Sequence, residues 1–316
     1  MLSVIIPSRC DEYLQKTVDD VINKAEGEVE VIVVLDGHWP EKMLEENKQV
    51  KIVHHGTVHD NYGMRETINR GVAVSTGDYI MKTDEHCLFH KGYDRRMISE
   101  MEDNWVVVPR RYRLDAEKWK LTTETENDKR LPIDYMFITY PFVNRFDWRK
   151  GLYGQEWREK YHHNKKIPID DTMSWQGSCY LMSRKHWDNI GEMDSIGYGP
   201  FNNEAQEIGN KTWLSGGRLV VNKNTHYAHF HKGKTGKKYG FSNAQYNQFM
   251  VDKEKGRQYC IDYWLNNRWE KAIHDWKWLI DKFSPVPTWP DNWQDRIEED
   301  SKNDFRFSKE PKKYEE

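Results

Sequence analysis

Cysteine is scarce in this chain and never paired in sequence: Cys10, Cys87, Cys179 and Cys260 stand far apart, with no CxxC. That excludes a zinc knuckle and a disulfide framework. No apolar run approaches the ~20 residues that a membrane-spanning helix requires. The N-terminus runs straight into a strand-like Leu2–Ile6, without the basic stretch and long apolar core of a signal peptide. Positive charge is not in excess either. The formal net charge is −3, so no global basic field marks a nucleic-acid binder, although local basic patches stay open. No internal repeat is present. These absences point to a soluble protein with no membrane partner, cytoplasmic (in the host cytoplasm if the chain is viral). They leave the oligomeric state open.

What is present is a chain of 316 residues, 31% of them charged, long enough for one large domain or a domain with an appendage. The first hundred residues alternate strand and helix. Ser3–Ile6 is a buried-strand run stopped by Pro7, and Thr17–Ala25 has helical spacing. Val29–Leu35 and Lys51–Val53 read as strands. Residues 63–75 read as a helix with Met64, Ile68 and Val72 on one face and Gly77 as its C-cap. Strands separated by helices predict an α/β fold, a mostly parallel central sheet with helices on both faces. Residues 104–170 look irregular and are rich in Arg, Trp and Tyr. Then come a strand at Ser178–Met182, a Gly-rich loop from Gly191 to Asn203, a helix from Glu204 and a strand at Arg218–Val221. A Trp-rich helical stretch (Tyr259–Phe283), a Pro/Trp segment and a charged tail from Glu298, expected to be mobile, complete the chain. Trp264, Trp269, Trp276, Trp278, Trp289 and Trp293 fit a packed helical C-terminal appendage better than a stacking platform.

The segment Thr83–Cys87 carries the sharpest chemical signal. It ends an apolar strand and sets Asp84 and His86 two residues apart, on one side of an extended chain. One hard oxygen and one borderline nitrogen then grip a single ion, at a strand end where open α/β sheets bind ligands. Alone, such a pair is as easily a turn cap beside a surface histidine. The order of the surrounding motifs decides otherwise.

Taken in order, Ser3–Glu12, Val33–Gly37, Gly71–Gly77, Thr83–Cys87, Trp175–Ser178, Ile190–Asp194, Asn202–Glu207 and Thr225–Lys232 resemble the nucleotide-sugar glycosyltransferases of the GT-A fold. More narrowly, the chain is similar to the polypeptide N-acetylgalactosaminyltransferases and the family-two glycosyltransferases, the D-x-H followed by Cys being typical of the former. The resemblance covers roughly residues 1–240. It implies a catalytic domain over 1–240, with a nucleotide-binding half (1–103) and an acceptor half (104–240), followed by a helical extension over 241–316.

The resemblance also implies roles. Asp84, His86 and His229, with His226 as the alternative third ligand, would hold Mn2+ or another divalent cation that neutralises a departing diphosphate. Asp36 would hold the uracil ring. Pro7, Ser8, Arg9 and Asp11 would line the uridine site, and Trp175 and Gly177 would join the donor-binding set. Glu204 would receive hydroxyls of the transferred sugar, and Lys232, opening the basic run Lys232–Lys238, would clamp the diphosphate. Two departures from the family pattern stand out. Ile68 replaces the usual arginine, leaving Arg65 on the same helical face to reach the donor. Asn202 and Asn203 replace a glycine pair, a change the left-handed tolerance of Asn accommodates.

The implied function is transfer of a sugar from a UDP-sugar to a hydroxyl, with retention of configuration. The acceptor stays open between DNA carrying a hydroxymethylated pyrimidine, a polysaccharide precursor and a protein. Arg110, Arg111 and Arg113 keep the DNA reading alive through phosphate contacts. A non-catalytic nucleotide-sugar-binding protein is the rival of another class. A nucleotidyltransferase is disfavoured, because Pro7–Asp11 lacks a Gly-rich pyrophosphate loop.

Overall fold

The computed structural model describes residues 1–9, 12–57, 60, 63–125, 129–142, 151–231 and 242–303. In chain order the elements are β1 (Leu2–Ser8), α1 (Leu14–Lys24), β2 (Val29–Asp36), β3 (Val50–His55), α2 (Met64–Val74), β4 (Tyr79–Thr83), β5 (Cys87–Phe89), α3 (Tyr93–Ile98), β6 (Trp105–Asp115), β7 (Lys120–Leu121), α4 (Thr122–Thr125) and β8 (Met136–Ile138). They continue with β9 (Gly154–Glu156), α5 (Arg158–Asn164), β10 (Ile169–Asp171), β11 (Cys179–Ser183), α6 (Arg184–Ile190), α7 (Glu204–Leu214), β12 (Arg218–His229), α8 (Asn243–Leu265), α9 (Trp276–Phe283) and α10 (Trp293–Asn303).

The main sheet runs β10-β12-β6-β11-β4-β1-β2-β3. β3, β2, β1 and β4 are mutually parallel, as are β6 and β12, while β11 lies antiparallel between β4 and β6. Strand alternation builds two cores. On one face Ile5, Ile32, Val34, Tyr180 and Met182 meet α2, α6 and α7. On the other, Val4, Ile6, Val31, Val33 and Leu181 meet α1 and α3. Because neighbouring residues of these strands are apolar on both sides, they read as continuous runs, the pattern of a doubly covered sheet.

Helix α2 is held by this packing more than by its ends. Its N-cap, Gly63, offers no side-chain cap, whereas Ile68 is fully buried, and such burial contributes ~1.5–3 kcal/mol. The expected cap at Gly77 is not there: α2 ends at Ser75, whose Oγ donates to the Val72 carbonyl at 2.7 Å. Gly77 is needed for a different reason. A Cβ there would strike Ser3 and the Met1 carbonyl, so glycine lets this turn lie against the start of β1.

The region expected to be irregular contains the eleven-residue strand β6. Its Pro109, which argues against a central strand, pairs where β12 bulges: Asn222 lies opposite Pro109, and the register resumes with His226 opposite Arg110. The missing N–H of proline thus falls where the ladder is already interrupted. Past this bulge β12 continues to His229, well beyond the expected Val221.

The Trp-rich stretch forms two helices, α8 and α9, rather than one run, and α10 follows. Trp264, Trp276, Phe283, Trp289 and Trp293 share one core with Tyr135, Trp157 and Trp213. Trp289 Nε1 donates to the Ile138 carbonyl at 2.7 Å. No described helix is long and apolar enough to cross a membrane.

Candidate active site

Strand β4 ends at Thr83 and the chain bends before β5, so Asp84 and His86 converge from a bend, not from an extended strand. β5 pairs antiparallel with the end of β12, with Cys87 opposite His229. That register carries His229 to the pair. His229 Nε2 lies 3.1 Å from His86 Nε2 and 3.1 Å from Asp84 Oδ2, and the three groups form the acid–imidazole cluster among the described residues that suits a metal. His226 is not part of it, since its ring stacks on His90 at 4.5 Å.

The fit to a cation is direct. Separations near 3 Å are those of neighbouring ligands at right angles around an ion with bonds of ~2.1 Å. Burial pushes His229 down to about 3, although its hydrogen bond to Asp84 works the other way, so its imidazole is neutral, the form that can ligate an ion. Burial opposes the charge on Asp84, yet the Lys82 ammonium and His229 outweigh it and hold the carboxyl well below its usual range. A charged Asp84 carboxylate beside a neutral His229 imidazole suits a divalent ion.

A group that the sequence reading passed over anchors this cluster. Lys82 is 1% exposed, and its Nζ donates to Asp84 Oδ1 at 2.6 Å, the Gly177 carbonyl at 3.0 Å and Glu204 Oε2 at 3.2 Å. The signal was present: a lysine in an apolar strand two residues before Asp84 shares its face. Gly177 adopts φ 89°, and a Cβ there would lie 3.3 Å from Glu204 Oε2, so glycine admits this approach. Trp175, two residues earlier, is buried edge-on to Tyr180.

Glu204 opens α7 behind Asn203, which takes the left-handed conformation, φ 53°. The turn expected of the Asn pair is therefore formed. Burial raises the Glu204 carboxyl, with Lys82 opposing, and its Oε1 has no hydrogen-bond partner among the described residues. The Tyr180 hydroxyl is raised by burial and then by Glu204 beside it, so the carboxylate sits next to one hydroxyl of the chain and can accept another.

On the other side of β4, Pro7 and Ser8 end β1 within the sheet. Arg9 is buried; its backbone N–H donates to Glu85 Oε2 at 2.9 Å and its Nη1 to the Asp36 carbonyl at 3.0 Å. Asp36 ends β2 and accepts from the Gly63 N–H at 3.0 Å. Burial raises its carboxyl, with that N–H and Arg9 pulling it back. Asp11 and Lys232 lie outside the described residues.

Arg65 does not face this cleft. It is fully buried, pairing with Glu207, donating from Nε to the Asn202 carbonyl at 2.9 Å, and lying 4.3 Å from the Tyr198 ring centroid. It ties the 194–203 loop to α7, the helix that Glu204 opens. The basic cluster is divided as well. Arg110 forms two bonds, 2.8 and 2.7 Å, with Asp134, while Arg111 is buried beside His231.

The model of glycosyl transferase family 2 matches residues 3–191. Polypeptide N-acetylgalactosaminyltransferase 5 of Caenorhabditis elegans is 23% identical over 164 residues, 51% of this chain and 24% of that protein. Polypeptide N-acetylgalactosaminyltransferase 12 of Mus musculus is 23% identical over 208 residues, 63% of this chain and 34% of that protein. The chain thus spans a quarter to a third of these curated relatives. Among solved structures, GalNAc-T7 with UDP, GalNAc and Mn2+ superposes with a TM-score of 0.60 at 13% identity, covering 92% of this chain and 58% of that one. S. aureus TarS superposes with a TM-score of 0.50 at 14% identity, covering 88% and 41%. The fold is of the GT-A type.

Proposed function

This chain belongs to glycosyl transferase family 2, and from that membership we propose that it transfers a sugar from a UDP-sugar to a hydroxyl acceptor with the help of Mn2+. The observation that carries the reading is the convergence of Asp84, His86 and His229, whose ligand atoms lie within 4.8 Å of one another, with His229 Nε2 3.1 Å from each of the other two. A divalent ion held there supplies Lewis-acid neutralisation of the leaving diphosphate. The chain's own residues do the rest. Asp36 accepts from the uracil imide, with Pro7, Ser8 and Arg9 shaping the base site. Lys82 fixes the second oxygen of Asp84 and one oxygen of Glu204, which leaves Glu204 Oε1 to accept a sugar hydroxyl.

We assign retention of anomeric configuration. Glu204, the acidic group placed to serve as base in inverting relatives, is engaged with a buried ammonium. The leaving phosphate then takes the acceptor proton. For the acceptor we put forward a hydroxymethylated pyrimidine in DNA, because the Arg111 guanidinium, with no carboxylate partner among the described residues, lies beside the triad.

The test is UDP release from a panel of UDP-sugars with Mn2+, with EDTA, and in His86→Ala, followed by NMR of the product anomer and mass spectrometry of acceptor DNA. Mn2+-dependent release lost in the variant supports the reading. UDP-sugar binding without turnover on any acceptor would indicate a non-catalytic nucleotide-sugar-binding protein. An unmodified DNA acceptor alongside a glycosylated polysaccharide precursor or protein would relocate the acceptor alone.

A further inference from the structure

Three arginines are buried among the described residues, and two of them are matched. Arg9 lies beside the Asp36 carboxylate and donates to its carbonyl. Arg65 has Glu207 and two carbonyls. Arg111, at 6% exposure, has no carboxylate partner among the described residues. Its Nη2 lies against the Nε2 of His231, a neutral acceptor, and its buried Nε has no hydrogen-bond partner. Desolvating a guanidinium without an anion is strongly unfavourable. Such a group persists where a ligand supplies the missing charge.

Its location says which ligand. Arg111 sits on β6 opposite Tyr227 of β12, two residues from the register position of His229. The ring of His231 stands edge-on to that of His229 at 5.0 Å. One imidazole therefore separates the unmatched guanidinium from the triad. A planar fork of N–H donors fits the oxygens of a phosphate better than a monodentate ligand.

We propose that Arg111, oriented by His231, is an anion-accepting site fitted to a phosphate group on the β6–β12 side of the triad. It rests on the nucleotide-sugar reading above for its source of phosphate, which is either the donor's diphosphate or a phosphodiester of the acceptor.

The experiment uses the full chain, wild type against Arg111→Met and Arg111→Lys, with thermal shift and titration of four probes: UDP with Mn2+, uridine, inorganic pyrophosphate, and a short single-stranded oligonucleotide. Arg111→Met is expected to raise the ligand-free Tm by about 2–5 °C, since it removes an unmatched charge. It is expected to weaken UDP and pyrophosphate at least tenfold and leave uridine within twofold, with Arg111→Lys between. That result assigns the donor diphosphate. A tenfold loss for the oligonucleotide alone assigns the acceptor phosphodiester. If all four affinities stay within twofold of wild type, or if both variants lower Tm with affinities unchanged, Arg111 is a packing residue and the proposal is overturned. Should Arg111→Met fail to fold, the Arg111→Lys affinities decide by the same thresholds. A wild type that ignores UDP but answers pyrophosphate through Arg111 would sink the nucleotide reading and keep this site.

Discussion

The region around Arg65 and the region around the triad are both buried and both charged, yet they are completed differently. Around Arg65 every partner is supplied by the chain: Glu207, the Asn202 and Asp194 carbonyls and the Tyr198 ring. Lys211 then pairs with Glu207 at 2.7 Å. Around the triad, Arg111 Nε, His229 Nδ1 and Glu204 Oε1 lack partners among the described residues. Around Arg65 the guanidinium and its carboxylate are matched, and the unpartnered atoms are the uncharged Tyr198 Oη and Asn203 Oδ1. Closed networks hold a fold in place. Open ones, clustered in one cleft, mark where a ligand completes the structure.

The sharpest way to break that contrast is to delete one member of each. His229→Ala should lower metal-dependent UDP release by roughly 10³-fold, the equivalent of several kcal/mol of Lewis-acid stabilisation, while thermal melting without ligand shifts little. Arg65→Met should do the reverse, destabilising by about 3–5 kcal/mol because the Glu207 oxygen that Arg65 holds is left buried, Lys211 and the Asp194 N–H engaging the other. Chemical denaturation measures it, and equal stability losses at both sites would erase the distinction. Next in size is Gly256→Ala. Its Cβ would overlap the Tyr198 carbonyl where α8 crosses the loop that Arg65 holds, a clash worth about 1–3 kcal/mol. A neutral effect would show that α8 does not bear on that loop.

The smallest effect is pH-dependent. Burial pushes His186 down to about 4, with its Nε2 2.9 Å from Thr212 Oγ1. The unfolded chain binds this proton more readily, so the neutral buried form stabilises the fold fully above about pH 6.5. That contribution falls away as pH drops toward 4, by at most ~3 kcal/mol. His186→Gln should flatten the stability profile in that window; an unchanged slope would assign the acid sensitivity to other groups.

Much of this architecture was legible because local and global signals agreed. β1, β2 and α2 combine apolar runs, helical spacing and strand-end turns that point one way. Asp84, His86 and His229 were legible through motif order, though their approach depends on β5 pairing with β12, which no short-range pattern encodes. β6 was missed because Pro109 and three arginines disguise a central strand, and the bulge opposite it belongs to a distant segment. Arg65 was misplaced for a related reason. Helical spacing gives its face, but whether that face meets a ligand or Glu207 depends on how the 194–203 loop folds back. Lys82 was passed over for want of one step: a charge in an apolar strand calls for a search for its partners.

The central claim is that one divalent ion is seated jointly by residues from the β4–β5 bend and the end of β12. Its most direct measurement is Mn2+ binding in the presence of UDP, read by electron paramagnetic resonance of free Mn2+, for wild type, Asp84→Asn, His86→Ala and His229→Ala. The account predicts one Mn2+ per wild-type chain and affinity lowered at least tenfold in every variant. Unchanged binding in His229→Ala would contradict it.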